Sequence, residues 1–509
     1  MNNRMRPRAA RYIPIAAAIT TLAFHLIANP HYGFFRDELY FIICGFRPDW
    51  GYVDQPPVVP LLAAGSQLFG HSLFLIRAIP ALFAAASVYT TCLLVLELGG
   101  GTFAELFAAL VAALTPVLMA FGGKVTTDVV GLWLWPLAGL YVLRVVKRGD
   151  PRWWLPAGVV AGVAIESKYS MIFFAVAIVA GLLLLPQRRV LFNRWFAGGV
   201  LLAGAIVVPN FVWQAMHGYP MWTLLQDARE YKNAELSPLQ FVASQLLITH
   251  PLLAPFWVIG LVALLRRADA RFLGVTYLVL MAEMIVFHGK HYYAANVYPI
   301  PIAAGAVAVE EWTRRATWWR PVLTAYAFLA GIMLVPLLVP LLPESAMSAY
   351  DGIAQRMTPE VQLARMDHSA IGNLPPDWAD MHGWPELAAL VARVYDSLPP
   401  AQRARAAILA SNYGEAAAID FFGAKYGLPP VISGHNQYWM WGTRGYDGNV
   451  LIDVHGECPG GPALFRERRV VARFSNPWGR PLENGFPISI CRGISMPLAE
   501  YWPRLRTYI

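Results

Sequence analysis

The apolar residues of this chain fall in blocks long enough to cross a bilayer, and that restricts its fold more than any other feature. A spanning helix needs about 20 mostly apolar residues, within a range of roughly 17–25. Blocks near that size occupy 12–29, 77–97, 102–121, 126–146, 153–166, 169–186, 196–214, 241–265, 272–288, 293–309 and 321–341. The block at 153–166 is short and counts as a crossing only together with its neighbour. Hydrocarbon offers no partner to backbone N–H and C=O groups, so such blocks must be helical. The pattern predicts a mainly α, polytopic membrane protein with about 11 transmembrane helices. Charged residues make up only 14% of the chain, against roughly 25% in soluble domains. That excludes a cytosolic enzyme and an intrinsically disordered chain. The first block follows Arg4, Arg6, Arg8 and Arg11, and no small-residue cleavage site precedes His31. It therefore reads as an anchor rather than a cleaved signal peptide.

Loop charge orients the chain, because cytoplasmic loops of membrane proteins are enriched in Lys and Arg. With the N-terminus in the cytoplasm, the inside segments hold those four arginines and four further basic clusters. These are Lys147/Arg148/Arg152, Arg188/Arg189/Arg194, Arg266/Arg267/Arg271 and Arg314/Arg315/Arg320. The outside segments hold fewer: Arg36, Arg47, Lys124, Lys168, Arg229, Lys232 and Lys290. This asymmetry accounts for the net charge of +8 without invoking nucleic acid.

An odd number of crossings places the tail outside, which divides the chain into a membrane part at 1–341 and an extracytoplasmic part at 342–509. The tail is richer in charge, Pro and Gly. Strand-like runs at Ala407–Ala410, Val431–Ser433 and Val450–Val454 alternate with a helical stretch around Gly414–Tyr426, the pattern of a small α/β domain. Cys458 and Cys491 lie in this tail, and an oxidising compartment would let them pair; spacing alone does not decide it.

The first outer loop, about 30–76, carries the most unusual polar residues. Asp37 and Glu38 sit in an aromatic segment, His31-Tyr-Gly-Phe-Phe-Arg-Asp-Glu-Leu-Tyr40, that reads as an interfacial helix. Partial desolvation raises the basicity of a carboxylate there, which suits a general base. Asp128, Lys168-Tyr169 and Lys290-His291-Tyr292-Tyr293 map to the same side of the membrane. Ionisable groups at membrane depth are costly and tend to mark function. Each lysine alone is better explained by snorkelling to the interface; the set together points to a site.

The segments Arg36–Tyr40, Asp54-Gln55-Pro56-Pro57, Thr127-Asp128, Lys168-Tyr169 and Lys290–Tyr293 resemble the bacterial family 39 glycosyltransferases. These belong to the GT-C class, with the protein O-mannosyltransferases and the aminoarabinose transferases. The tail segments Asn412–Ala416, Ile432–Asn436 and Tyr438–Gly442 are similar to tails of bacterial members. The resemblance implies a GT-C fold and a sugar donor carried on polyprenyl phosphate, used at the outer side of the inner membrane. Asp37 would act as catalytic base towards an acceptor hydroxyl on a lipid, a glycan or a protein, with inversion at the anomeric carbon. Lys168 and Lys290 would neutralise the phosphate, helped by the Tyr293 hydroxyl. Glu38 and Asp128 would orient acceptor or sugar, with Asp54, Gln55, Tyr169 and His291 completing the binding surface. The turn departs from aminoarabinose transferases, where a lysine follows the carboxylate; Gln55 supplies hydrogen bonds but no charge.

No cofactor follows from these residues. His250, His288 and His291 raise the question of a divalent metal. Zinc sites use three or four close ligands, and beyond the His288/His291 pair the third partner is left open, with Asp54 one option. A transporter of lipid-linked sugars is the competing reading, but inverted repeats and midplane polar residues are not evident. A non-catalytic scaffold leaves Asp37 and Glu38 unexplained. Trp439, Trp441 and Tyr438 suit either sugar stacking or a small core.

Overall fold

A computed structural model describes residues 11–231, 236–357 and 372–509. Arg4, Arg6, Arg8 and Lys232, used above to orient the chain, lie outside the described residues. The protein is mainly helical, with one small sheet near its C-terminus. Helix Ile13–Ala28 packs on Leu73–Glu97, Trp154–Ile165 on Arg194–Met216, Met171–Leu183 on Arg271–Val286, and Ala254–Arg266 on Pro299–Trp312. Two of these crossings rest on facing glycines. A Cβ at Gly158 would strike the Gly199 carbonyl, and one at Gly260 would strike that of Pro301. Small residues let backbones approach where no hydrophobic force draws helices together.

By length and composition, Leu73–Glu97 and Arg194–Met216 are each long and apolar enough to cross a membrane. The pair Thr102–Leu114 and Pro116–Gly123 passes together, bent by 65° at its break. Several other apolar blocks form helices shorter than the blocks themselves. Pro116 cannot donate a backbone hydrogen bond, so the block at 102–121 breaks there. The block at 241–265 is divided between Pro238–Ile248 and Ala254–Arg266, with His250 at φ +70° in the intervening turn. The block at 293–309 opens as a 3₁₀ segment, His291–Val297, before its α-helix starts at Pro299. Along Arg194–Met216 the large apolar side chains face outward, Leu201 at 72% and Met216 at 79% exposure. Contiguous exposed apolar surface of this kind calls for an apolar surrounding.

The C-terminal part carries a five-stranded sheet in the order β2-β1-β3-β5-β4. Its strands are β1 Ala407–Ala410, β2 Ile432–Ser433, β3 Val450–Val454, β4 Phe465–Arg473 and β5 Pro487–Ile494. β1 pairs parallel with both β2 and β3, whereas β5 runs antiparallel to β3 and β4. Cys458 and Cys491 form a disulfide across this sheet. Asn412 caps helix Tyr413–Gly423 by accepting from the Gly414 and Glu415 amides. That helix packs directly on the first-loop helix Arg36–Gly45, which brings the tail against Asp37.

Candidate active site

The first-loop helix begins at Phe35, and its first turn holds Asp37 and Glu38, where negative charge complements the helix dipole. The two acids point to different surroundings, since adjacent helical side chains diverge. Glu38 is fully buried. One oxygen accepts from the Phe35 amide at 2.9 Å, and the other accepts from the Val125 amide at 2.9 Å and pairs with the Arg77 guanidinium, 2.7 Å from its Nε. Arg77, also fully buried, donates onward to the Gly33 carbonyl at 3.0 Å and the Asn29 carbonyl at 3.3 Å. The pair bolts the first loop to helix Leu73–Glu97 and to the 123–125 turn, and both Glu38 oxygens take part.

Asp37 is half-buried and accepts a 2.8 Å hydrogen bond from the Tyr413 hydroxyl. The Tyr413 ring lies 4.7 Å from that of Tyr40. Tyr40 donates at 2.9 Å to Asp54, whose other oxygen accepts from Asn436 Nδ2 at 3.2 Å. Burial pushes the Asp54 carboxyl up to about 6, the bond from Tyr40 opposing and the Asp37 charge adding to it. Gln55 is buried beside the Cys44 thiol. Gln437 links tail and loop, its side chain accepting from the Val53 amide at 3.0 Å and its amide donating to Tyr40 at 3.2 Å.

A second cluster adjoins this one. Lys168 Nζ lies 2.6 Å from Asp128 Oδ2, and 4.3 Å and 5.0 Å above the rings of Tyr293 and Tyr292. Lys290 is within electrostatic reach of both Asp128 and His291. Burial pushes the Tyr292 hydroxyl well above the usual phenol range, and the charges of Asp128 and Asp37 add to that rise. Tyr292 is thus within electrostatic reach of both Asp37 and Asp128. Tyr169 donates to Asn210 at 2.6 Å and accepts from Gln214 at 3.3 Å. Those bonds tie helix Arg194–Met216 to the loop, since Asn210 donates to the Trp50 carbonyl and Gln214 to that of Tyr52. His291 is buried, and its carbonyl accepts from Gln245.

Among the described residues, the three-residue group spaced to hold a metal is Glu415, His455 and Glu483, whose ligand atoms lie within 4.8 Å of one another. It does not include His250, His288 or His291. Its charges are already engaged: His455 lies 2.6 Å from Glu415, and Glu483 lies 2.5 Å from Arg36. Arg36 also meets Asp380 at 3.0 Å, which Arg480 contacts from the other side at 3.2 Å. Burial and the Glu483 charge raise Glu415 to about 8.

Sequence reasoning missed Tyr413, Asn436, Gln437 and Arg77. The first three stand in or beside tail segments noted only for their similarity, and Tyr413 is 376 residues from its partner. Arg77 stands at the edge of an apolar block, where a buried arginine is itself a signal of a hidden partner.

The fold is a helical bundle whose first loop carries an acid-bearing helix, packed against a helix of the small C-terminal sheet. Comparison with known proteins finds likeness of the same kind, in part of the sequence and in the fold. The sequence pattern of the dolichyl-phosphate-mannose-protein mannosyltransferase family matches residues 54–213. Over 243 residues the chain is 25% identical to the lipid A galacturonosyltransferase RgtD of Rhizobium johnstonii. That match covers 44% of this chain and 49% of the relative, so it spans about half of the relative's length. The fold is similar to that of ArnT from Cupriavidus metallidurans bound to undecaprenyl phosphate. The TM-score is 0.61 at 15% identity, covering 95% of this chain and 98% of that one. The apo form of ArnT aligns with the same TM-score.

Proposed function

We propose that this protein is a membrane glycosyltransferase that moves a sugar from a polyprenyl-phosphate donor to an acceptor hydroxyl. It acts at the outer side of the inner membrane. The observation that carries this reading is the half-buried Asp37 carboxylate, fixed by Tyr413 and within electrostatic reach of Tyr292, over whose ring the Asp128-paired Lys168 stands. Relatives named as glycosyltransferases, and an ArnT fold recorded with undecaprenyl phosphate, support the same reading.

In this mechanism Asp37 takes the proton of the acceptor hydroxyl as its oxygen attacks the anomeric carbon. The new C–O bond forms on one face while the bond to the phosphate oxygen breaks on the other, which inverts that carbon. The electron pair leaves on the polyprenyl phosphate, where Lys168 and Lys290 offset the charge. Positioning and electrostatic stabilisation supply most of such a rate enhancement. Lys168 must then be shared between Asp128 and the phosphate. The lipid bilayer holds the prenyl chain, and the acceptor comes from a lipid, a glycan or a protein.

The same proposal takes residues 1–341 as the membrane domain with about eleven crossings and a cytoplasmic N-terminus. It takes 342–509 as a periplasmic domain that completes the site. Asp37→Asn keeps the shape and removes the charge, so sugar transfer in membranes should fall to background while expression and insertion stay normal. Wild-type transfer by this variant removes Asp37 from the mechanism.

A further inference from the structure

Beyond the carboxylates, the aromatic floor of the site runs on into an arginine pair that the transfer chemistry does not use. From Tyr40 the rings continue to Tyr438, 6.4 Å away and stacked, and then to Trp441, 4.8 Å further on. Two guanidinium groups stand near the Trp441 ring, each within electrostatic reach of the other. Arg47, just past the first-loop helix, stands 4.6 Å from its centroid, and Arg444 stands 5.4 Å from it. The Arg444 side chain is only 13% exposed, yet its Nε and one terminal nitrogen have no hydrogen-bond partner among the described residues. The nearest carboxylate, Asp420, is 4.0 Å away, and its oxygens already accept from Tyr438 at 2.9 Å and the Val431 amide at 2.9 Å. Burial lowers Arg444, and the charge of Arg47 lowers it further.

Packing alone does not account for this arrangement. Two like charges share one indole, a single carboxylate stands too far off to bond, and buried donors are left unmet, each at a cost in free energy. Arg444 also adopts φ +52°, in the left-handed region that non-glycine residues rarely occupy. Such strain collects where a side chain is held for binding. Gly442 and Gly445 flank it, and nothing lies within 4 Å of a Cβ built on either, so the loop stays open on that side. A guanidinium fork matches the geometry of an oxyanion.

We propose that Arg47 and Arg444 form an oxyanion subsite that binds a phosphate or carboxylate group carried by the acceptor. This rests on the transferase reading above, since it places the anionic group beyond Tyr40, along the ring floor from Asp37. The subsite selects acidic acceptors and is separate from the Lys168/Lys290 cluster assigned to the donor phosphate.

The probe is inorganic phosphate, titrated into the full chain in zwitterionic detergent and followed by calorimetry and by thermal melting. Wild type should bind and melt at higher temperature as phosphate rises. Arg444→Gln and Arg47→Gln should each weaken this binding by about tenfold or more, and should do so equally on a Lys168→Ala background, where the donor cluster cannot account for it. Arg47 lies at the rim, so its variant carries the test if Arg444→Gln does not fold. Phosphate that binds wild type and both variants alike overturns the subsite, whatever the enzyme transfers. In transfer assays, the phosphate inhibition lost on Arg444→Gln should compete with acceptor. Competition with donor instead overturns the assignment to the acceptor but leaves the transferase reading standing.

Discussion

Removing the Tyr413 hydroxyl tests whether the tail tunes the base or merely covers it. The bond to Asp37 is 2.8 Å long and ends on a carboxylate. Hydrogen bonds to charged groups contribute about 1.5–3 kcal/mol, and one pKa unit corresponds to about 1.4 kcal/mol. The bond favours the ionised acid, so Tyr413→Phe should raise the pH at which Asp37 gains its proton by about 1–2 units. Asp37 is half-buried, so solvent screening places the effect at the lower end. The ring stays, together with its contacts to Tyr40 and His435. The assay is kcat/KM for sugar transfer across pH 4.5–8. The acid limb should move upward by about one unit while the plateau above it changes little. A profile that falls by the same factor at every pH, with its limb unmoved, would refute the reasoning and leave Tyr413 a packing residue.

Glu38→Gln should leave the Arg77 charge buried and unpaired, at a cost of about 3–5 kcal/mol, seen as a large drop in melting temperature of the detergent-purified protein. An unchanged melt would remove the bolt from the account. Asp54 is raised to about 6 from an unfolded value near 3.9, so its ionisation costs stability that is intact below about pH 4 and lost as pH rises through about 6. Asp54→Asn should therefore gain on wild type between pH 4.5 and 7 in thermal melts, by at most about 3 kcal/mol; a constant difference would refute it. Reporter fusions at residue 150 and at the C-terminus should sit on opposite sides of the membrane, and the same side for both would overturn the proposed topology.

What the sequence conveyed, and what it hid, follows from the range of the interactions involved. Apolar block length is a local property, so the mainly helical architecture was legible, although of the expected eleven crossings only two helices, or three with the bent pair, are long and apolar enough among the described residues. Three of the tail's strands were legible, at Ala407–Ala410, Ile432–Ser433 and Val450–Val454, whereas β5, Pro487–Ile494, was not read and β4, Phe465–Arg473, was hidden by its charge. An edge strand with Arg466, Arg468 and Arg469 exposed has the composition of a loop, because charge on an edge deters pairing with other chains. Helix ends were less legible, since the breaks at Pro116 and around His250 divide runs that read as continuous.

The site shows the same division more sharply. Asp37 and Glu38 are neighbours of equal charge, and nothing local separates the open acid from the bolted one. That distinction is made by Arg77 and Val125 on one side and by Tyr413 on the other, all far along the chain. The pairing of Asp128 with Lys168 is consistent with the same-side mapping inferred from loop charge. The part played by Tyr413, Asn436 and Gln437 was not readable, because it depends on how the sheet presents helix Tyr413–Gly423 to the first-loop helix. In the proposed transferase, a site completed by the tail would confine water and acceptor on the side where the tail sits. Substitutions along Tyr413, Tyr438 and Trp441 should therefore alter which acceptors are used before they alter the donor.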